Sequence, residues 1–250
     1  AFRVTVRPLY REIAERTTDF VLRDMTSGEG AFFCSLDADS EGREGAFYLF
    51  SPEEIKGVLG EEDGTWFCHR YGVMPGGNFE GKSILNLIGN YDFNQPDPRL
   101  PAMRDQLYAW RKRRLPILAD DKALTSWNAL MIAALCVSSR ALGTPGHLDA
   151  ARRAEAFLSR HVVSDDGGLL LRFRDGESKG EGVLADYAYL ALAEIMLYDA
   201  SGERKYLERA ETLARAMLDR FSEGGAGGYY FTSSRAERLP TRPIDTWDAA

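Results

Sequence analysis

Four short loops of this chain carry side chains suited to chemistry. "LDADSEG" brings Asp37, Asp39 and Glu41, and "DDKALTSWN" brings Asp120, Asp121, Lys122, Ser126, Trp127 and Asn128. "EGVLADYA" adds Glu181, Asp186 and Tyr187, and "RPIDTWDAA" adds Arg242, Asp245, Trp247 and Asp248. Carboxylates beside Trp and Tyr suit a sugar: aromatic faces stack on the C–H faces of a pyranose, and carboxylates bind hydroxyls or exchange protons. Hydrolysis of a glycoside needs two carboxyl groups flanking the bond, one with a raised pKa. Asp37 or Asp39 with Asp121 or Asp186 are the expected catalytic pair. Glu41, Lys122, Trp127, Asn128, Tyr187 and Asp245 are the expected substrate-binding residues. Each also has a plainer reading. Asp121 and Ser126 suit helix N-caps, Asp186 suits backbone N–H groups, and Asp37 and Asp39 suit an Asx-type turn. Trp127 suits a core position, and Asn128, near the start of a buried helix, must find a partner.

Two other chemistries are set aside, one on spacing and one on its flanks. "DADSEG" fits the first half of an EF-hand loop, but the twelfth position is Tyr48 where a bidentate Glu belongs. Its flanks, "AFFCSL" and "GAFYLF", read as strands, so the loop is expected to be a hairpin tip aiming Asp37 and Asp39. "GGNFEGKS" (76–83) meets the G-x-x-x-x-G-K-S spacing of a phosphate loop. It lacks a preceding hydrophobic strand and a following long helix, so Asn78, Glu80 and Lys82 are read as part of a lid.

The elements that must position these loops are helices. Residues 8–25, 147–162 and 204–221 read as amphipathic helices, and 124–142 and 183–200 as helices apolar nearly all round. Three times an amphipathic helix runs into a glycine turn and a short strand, with Gly30, Gly168 and Gly227 in equivalent places. A unit near 60 residues, of two long helices and a hairpin, predicts helical hairpins side by side, the apolar helices inside. That is an all-α fold, an incomplete (α/α)6-type toroid with short β-hairpins. The hairpins lie at the N-terminal ends of the inner helices, where unpaired N–H groups and the positive dipole end can orient carboxylates or an anion. Residues 52–115 interrupt the pattern. "SPEEIKGVLG" opens with a helix start at Ser51 and Pro52, and "AMRDQLYAWRKRRL" is another helix. The segment is expected to cover the hairpin end of one partial toroid domain spanning residues 1–250.

Bulk properties narrow the partners. A hydrophobic content of 44% supports a core. The net charge of −7 argues against nucleic acid, whose phosphates need a basic surface. No apolar run reaches the length of a membrane span. Cys34, Cys68 and Cys136 form no C-x-x-C, and His69, His147 and His161 are scattered. No metal site and no cofactor is expected, and the thiols suit a reduced, cytoplasmic protein.

Several segments together resemble one family: "SLDADSEGREGAFYLFSPEEI", "FCHRYGVMPGGNFEGKSIL", "DDKALTSWNALMIAAL", "GVLADYAYLALAEIMLYDASGERKYLERA", and "GGYYFTSS" with "LPTRPIDTWDAA". In order and nearly end to end, they resemble the thioredoxin-domain-containing family that includes spermatogenesis-associated protein 20 and bacterial YyaL. The resemblance implies a thioredoxin-like domain followed by a toroid similar to N-acylglucosamine 2-epimerases and six-hairpin glycosidases. The segments match only the toroid portion, so five of twelve barrel helices and no thioredoxin-like domain are expected within these 250 residues. The family's "LED-Y" is altered, with Ala185 ahead of Asp186 and Tyr187. The epimerases resemble a two-histidine design, but none of the three histidines here falls at the expected centre, so carboxylates must carry any chemistry. The expected function is carbohydrate processing or binding, with acid–base chemistry on a sugar. The alternative is a non-catalytic protein-interaction module that works with the thioredoxin-like domain on a protein partner. A partial toroid leaves apolar inner faces uncovered, so self-association or further chain segments are expected to close it.

Overall fold

The computed structural model describes residues 1–40, 42–90, 95, 97–224, 227–237 and 240–244. These fall into two compact units, one of residues 1–35 with 120–250 and one of residues 36–119. The chain crosses between them in two two-residue strands, β1 (Ser35–Leu36) and β4 (Ala119–Asp120).

The first unit begins with a single helical turn, α1 (Phe2–Thr5), and the longer α2 (Pro8–Asp24). Proline at the first turn of α2 costs no hydrogen bond, because that N–H has no intrahelical partner. Two helical hairpins follow: α6 (Thr125–Leu142) with α7 (Pro145–His161), and α8 (Leu184–Ser201) with α9 (Arg204–Phe221). Helices α6 and α8 pack on each other and carry α7 and α9 outside them. This is the inner–outer alternation expected from the sequence. Small residues permit the close approach: Ala129, Ala133, Ala150, Ala151, Ala154 and Ala193 are all buried. Leu135, Leu158 and Leu197 fill the space between and are fully excluded from water. Truncating any of them to Ala costs about 2–5 kcal/mol.

The three helix-to-strand turns share a closing bridge and a positive-φ glycine. Isolated antiparallel bridges join Thr26 to Phe32, Val163 to Leu169 and Ser222 to Tyr229. Within each turn the glycine two residues before the last bridging residue has positive φ: Gly30 at 100°, Gly167 at 75° and Gly227 at 81°. The equivalent of Gly30 is therefore Gly167, not Gly168 as the sequence alignment of the three turns suggested. Gly168 does not have positive φ, and only the backbone conformation tells the two neighbours apart.

The second turn continues into a three-stranded antiparallel sheet in the order β5 (Ala123–Leu124), β6 (Leu170–Arg174), β7 (Glu177–Glu181). Asp175 and Gly176, both at positive φ, close β6 onto β7. This is the Asp-Gly turn whose twist suits two paired strands. Because β5 leads into α6 and β7 approaches α8, the sheet lies at the N-terminal ends of both inner helices.

The second unit has its own core of Phe50, Ile55, Phe67, Cys68, Val73, Leu100, Met103 and Leu107. It comprises the hairpin β2 (Asp39–Ser40) with β3 (Arg43–Glu44), and helices α3 (Pro52–Leu59), α4 (Glu61–Arg70) and α5 (Leu100–Arg114). Ser51 and Glu54 form a reciprocal capping box at the start of α3, as the sequence predicted. The stretch "GAFYLF", expected as a strand, is instead a run of turns. Its carbonyls at Ala46, Phe47 and Leu49 accept N–H groups of the Arg114 guanidinium, at 2.8, 3.0 and 2.8 Å. A side chain supplies what a neighbouring strand would have supplied, so Phe47 and Leu49 are buried without sheet pairing, while Phe50 meets Ser83 in a single bridge and Tyr48 stays exposed.

Candidate functional site

At the N-terminal ends of the inner helices, polar side chains are committed to the backbone. Asp186 is fully buried; its Oδ1 accepts the Ser126 N–H at 2.9 Å and its Oδ2 accepts the Val183 N–H at 2.9 Å. Burial pushes this carboxyl above the usual aspartate range, and the two backbone bonds oppose that shift. Asn128 and Tyr187 stand at the same position of α6 and α8. Asn128 accepts the Phe32 N–H at 2.7 Å and donates to the carbonyls of Phe32 and Leu124. The Tyr187 hydroxyl accepts the Leu169 N–H at 2.8 Å and a bond from the buried Arg220 at 3.0 Å. Phe32 and Leu169 occupy equivalent places in the first two turns, so each inner helix uses this position to fasten the strand beside it. Trp127, one residue before Asn128, is 49% exposed.

A cavity of about 320 Å³ lies at the same hairpin end. Phe33, Phe157 and Phe173 line it, together with Glu29, Asp121 and Arg174. The Asp121 carboxylate receives the Arg174 Nε at 2.8 Å, which fixes both groups at the cavity. Lys122 is turned to Asp120, at 2.9 Å, and its ammonium holds that carboxyl below the usual range. His161, the last residue of α7, packs against the rings of Phe157 and Phe173 and has Nε2 3.4 Å from Glu29 Oε2. An aromatic lining with an ion pair and a second carboxylate can hold a ring that has apolar faces and a hydroxylated edge.

The other expected site residues are distributed differently. Asp37 and Asp39 belong to the second unit, where Asp37 Oδ1 accepts the Asp39 N–H at 3.0 Å in an Asx turn. Both are exposed. Glu41 and Asp245 lie outside the described residues. In "GGNFEGKS" the amides of Asn78 and Phe79 both turn to the Lys82 carbonyl, at 2.9 Å each, so they do not form a phosphate cradle. The three cysteines are free; burial raises all three thiols, Cys136 to about 12. No cluster of metal-ligating side chains occurs among the described residues. Among those residues no helix is long and apolar enough to cross a membrane.

Known proteins share the resemblance. The mouse and human proteins named spermatogenesis-associated protein 20 align with all of this chain at 26% identity. Over its whole length the chain is similar to spermatogenesis-associated protein 20. It spans 37% of the length of those relatives. No family model matches. Among solved structures, cellobiose 2-epimerase from Bacillus thermoamylovorans gives a TM-score of 0.44 at 9% identity, covering 90% of this chain and 59% of that one. D-mannose isomerase gives 0.42 at 17%, covering 93% and 74%.

Two acidic features lie outside the expected site residues. Glu29 sits one residue before the positive-φ Gly30, so the repeated turn itself could have marked it as a hairpin-end residue. Glu155 and Glu194 are buried side by side: Glu155 accepts bonds from Ser159 and Arg209, and Glu194 Oε2 has no hydrogen-bond partner among the described residues. No spacing signals this pair, because the two glutamates come from different helices and meet only when α7, α8 and α9 pack.

Proposed function

We propose that the first unit binds a sugar or similar polyol at the cavity beside Asp121, consistent with a carbohydrate-processing or carbohydrate-binding domain. The observation that carries this reading is one cavity lined both by Phe33, Phe157 and Phe173 and by the Asp121–Arg174 pair. The rings offer apolar surface to a pyranose face, and Asp121, Arg174 and Glu29 offer acceptors and donors to its hydroxyls. Of the four carboxylates expected to be catalytic, Asp121 is the one supported here; Asp186 is committed to two backbone N–H groups. Acid–base chemistry in this cavity would use Asp121 with Glu29. The test is thermal stability against a panel of neutral, amino and phosphorylated sugars, on the wild type, Asp121→Asn and Phe173→Ala. At least one sugar should raise the melting temperature of the wild type and leave both variants unmoved. A wild type that responds to none overturns the reading.

A second reading, protein interaction, is favoured by the inner helices. Trp127 and Val137 on α6, and Leu192, Ile195 and Tyr198 on α8, are all more than a third exposed. Leu192, Ile195 and Tyr198 follow at three-residue intervals along α8 and form an apolar stripe there. The occupant that fits is a further helix of the same inner type, since α6 and α8 already offer such faces to each other. Leu192→Glu with Ile195→Lys should abolish concentration-dependent self-association in light scattering. A wild type monomeric at every concentration goes against this reading.

A further inference from the structure

The second unit holds a cavity of its own, of about 460 Å³. Its least exposed charged or polar members are Ser40 and Arg114, with Lys82 partly covered; Arg43, Glu44 and Glu80 are exposed. The charges around it do not cancel in pairs. Arg114 bonds three carbonyls, which satisfy N–H groups but leave its charge uncompensated. Its carboxylate partner is Glu54, at 3.2 Å. Glu54 also receives Lys82 at 2.6 Å and the Ser51 N–H at 2.8 Å, so one carboxylate answers two cations and a helix cap. Those bonds hold the Glu54 carboxyl below the usual range despite its partial burial. The Arg43 guanidinium has no ion-pair or hydrogen-bond partner among the described residues.

Two buried donors beside this cavity lack acceptors among the described residues, and the Glu44 and Glu80 carboxylates stand among its exposed lining. The buried pair are the Ser40 hydroxyl and the Arg114 Nε. Both can donate, as can the Arg43 guanidinium. A buried donor without an acceptor costs about 1–3 kcal/mol, so such a set is matched by a ligand rich in acceptors. We propose that this cavity binds a small ligand with a phosphate or carboxylate head, held by Arg43 and Lys82 beside the Ser40 hydroxyl, with Glu44 and Glu80 facing hydroxyl or ammonium groups on its body. Recognition is by side chains, since the amides of the glycine-rich stretch are turned to the Lys82 carbonyl. This sets the site apart from a phosphate loop, and screening makes it sensitive to salt. It does not depend on the sugar site of the first unit.

Calorimetric titration of the whole chain at low ionic strength tests this, with inorganic phosphate, citrate, glucose 6-phosphate and glucose as probes. Phosphate or citrate should bind saturably, and Arg43→Ala should weaken that binding by about tenfold, as loss of one charge-assisted contact does. Arg43 is exposed and has no partner among the described residues, so this variant should keep the melting temperature of the wild type. Lys82→Met should weaken binding as well, and Asp121→Asn should leave it unchanged. In the Asp121→Asn chain, glucose 6-phosphate binding tighter than phosphate assigns the body of the ligand to Glu44 and Glu80; equal affinities overturn that part and leave the anion head alone. No saturable binding of any anion at 10-fold molar excess up to roughly 10 mM, weaker than any useful site, overturns the proposal. Binding untouched by both Arg43→Ala and Lys82→Met overturns it too.

Discussion

Asp186 on α8 accepts the backbone N–H of Ser126 on α6, and with its other oxygen the N–H of Val183 before its own helix. One buried carboxylate therefore caps the starts of two neighbouring inner helices. Each cap satisfies a donor that the helix itself cannot satisfy, and the shared side chain couples the register of α6 to that of α8.

Replacing Asp186 with Ala should cost about 2–4 kcal/mol, because two buried N–H groups lose their acceptors together. Asp186→Asn keeps one acceptor oxygen and should cost less. Urea unfolding followed by circular dichroism measures both. Equal stability of the Ala variant and the wild type would remove the double-cap account.

The buried glutamates make stability depend on pH. Burial and the neighbouring Glu155 raise the Glu194 carboxyl to about 8, against Arg209 and Lys205, which pull it down. The folded protein thus keeps a proton that the unfolded chain releases near pH 4.5. With the folded value above the unfolded one, the contribution of Glu194 is fully present below about pH 4.5. It is lost as pH rises to about 8. Stability should fall across that window by an amount on the order of a few kcal/mol, and flatten above it. Glu194→Gln should flatten the profile, with the largest gain over wild type above pH 8. Urea midpoints at pH 5, 7 and 8.5 decide the matter; parallel profiles for the two proteins would falsify the assignment.

Two glycines in one turn should respond differently to the same change. Gly30 has a φ of +100°, and a Cβ there would come within 2.9 Å of the Arg153 Cβ. Gly30→Ala should cost more than about 1 kcal/mol. Gly28 has open space around it and no positive φ, so Gly28→Ala should be neutral or slightly stabilising. Thermal melts of the two variants provide the comparison.

The sequence by itself determined the helices and their roles. The five long segments read as helices correspond to α2, α6, α7, α8 and α9, each shifted by no more than two residues at either end. Their apolar periodicity decided which are inner and which outer, because burial on one face leaves a repeat of 3.6 residues that a chain cannot hide. The capping box at Ser51 and the repeated glycine turn were legible for the same reason: each is a local rule. What only the tertiary structure decided is which polar groups are already committed. Asn128 and Tyr187 sit at one position of successive helices, yet nothing local says that their partners are Phe32 and Leu169, 96 and 18 residues away. Likewise "GAFYLF" has strand composition, and a guanidinium from α5 takes its carbonyls instead. Long-range hydrogen bonds leave no periodic trace in a sequence, and they settle whether an acidic side chain is a cap or stands at a cavity.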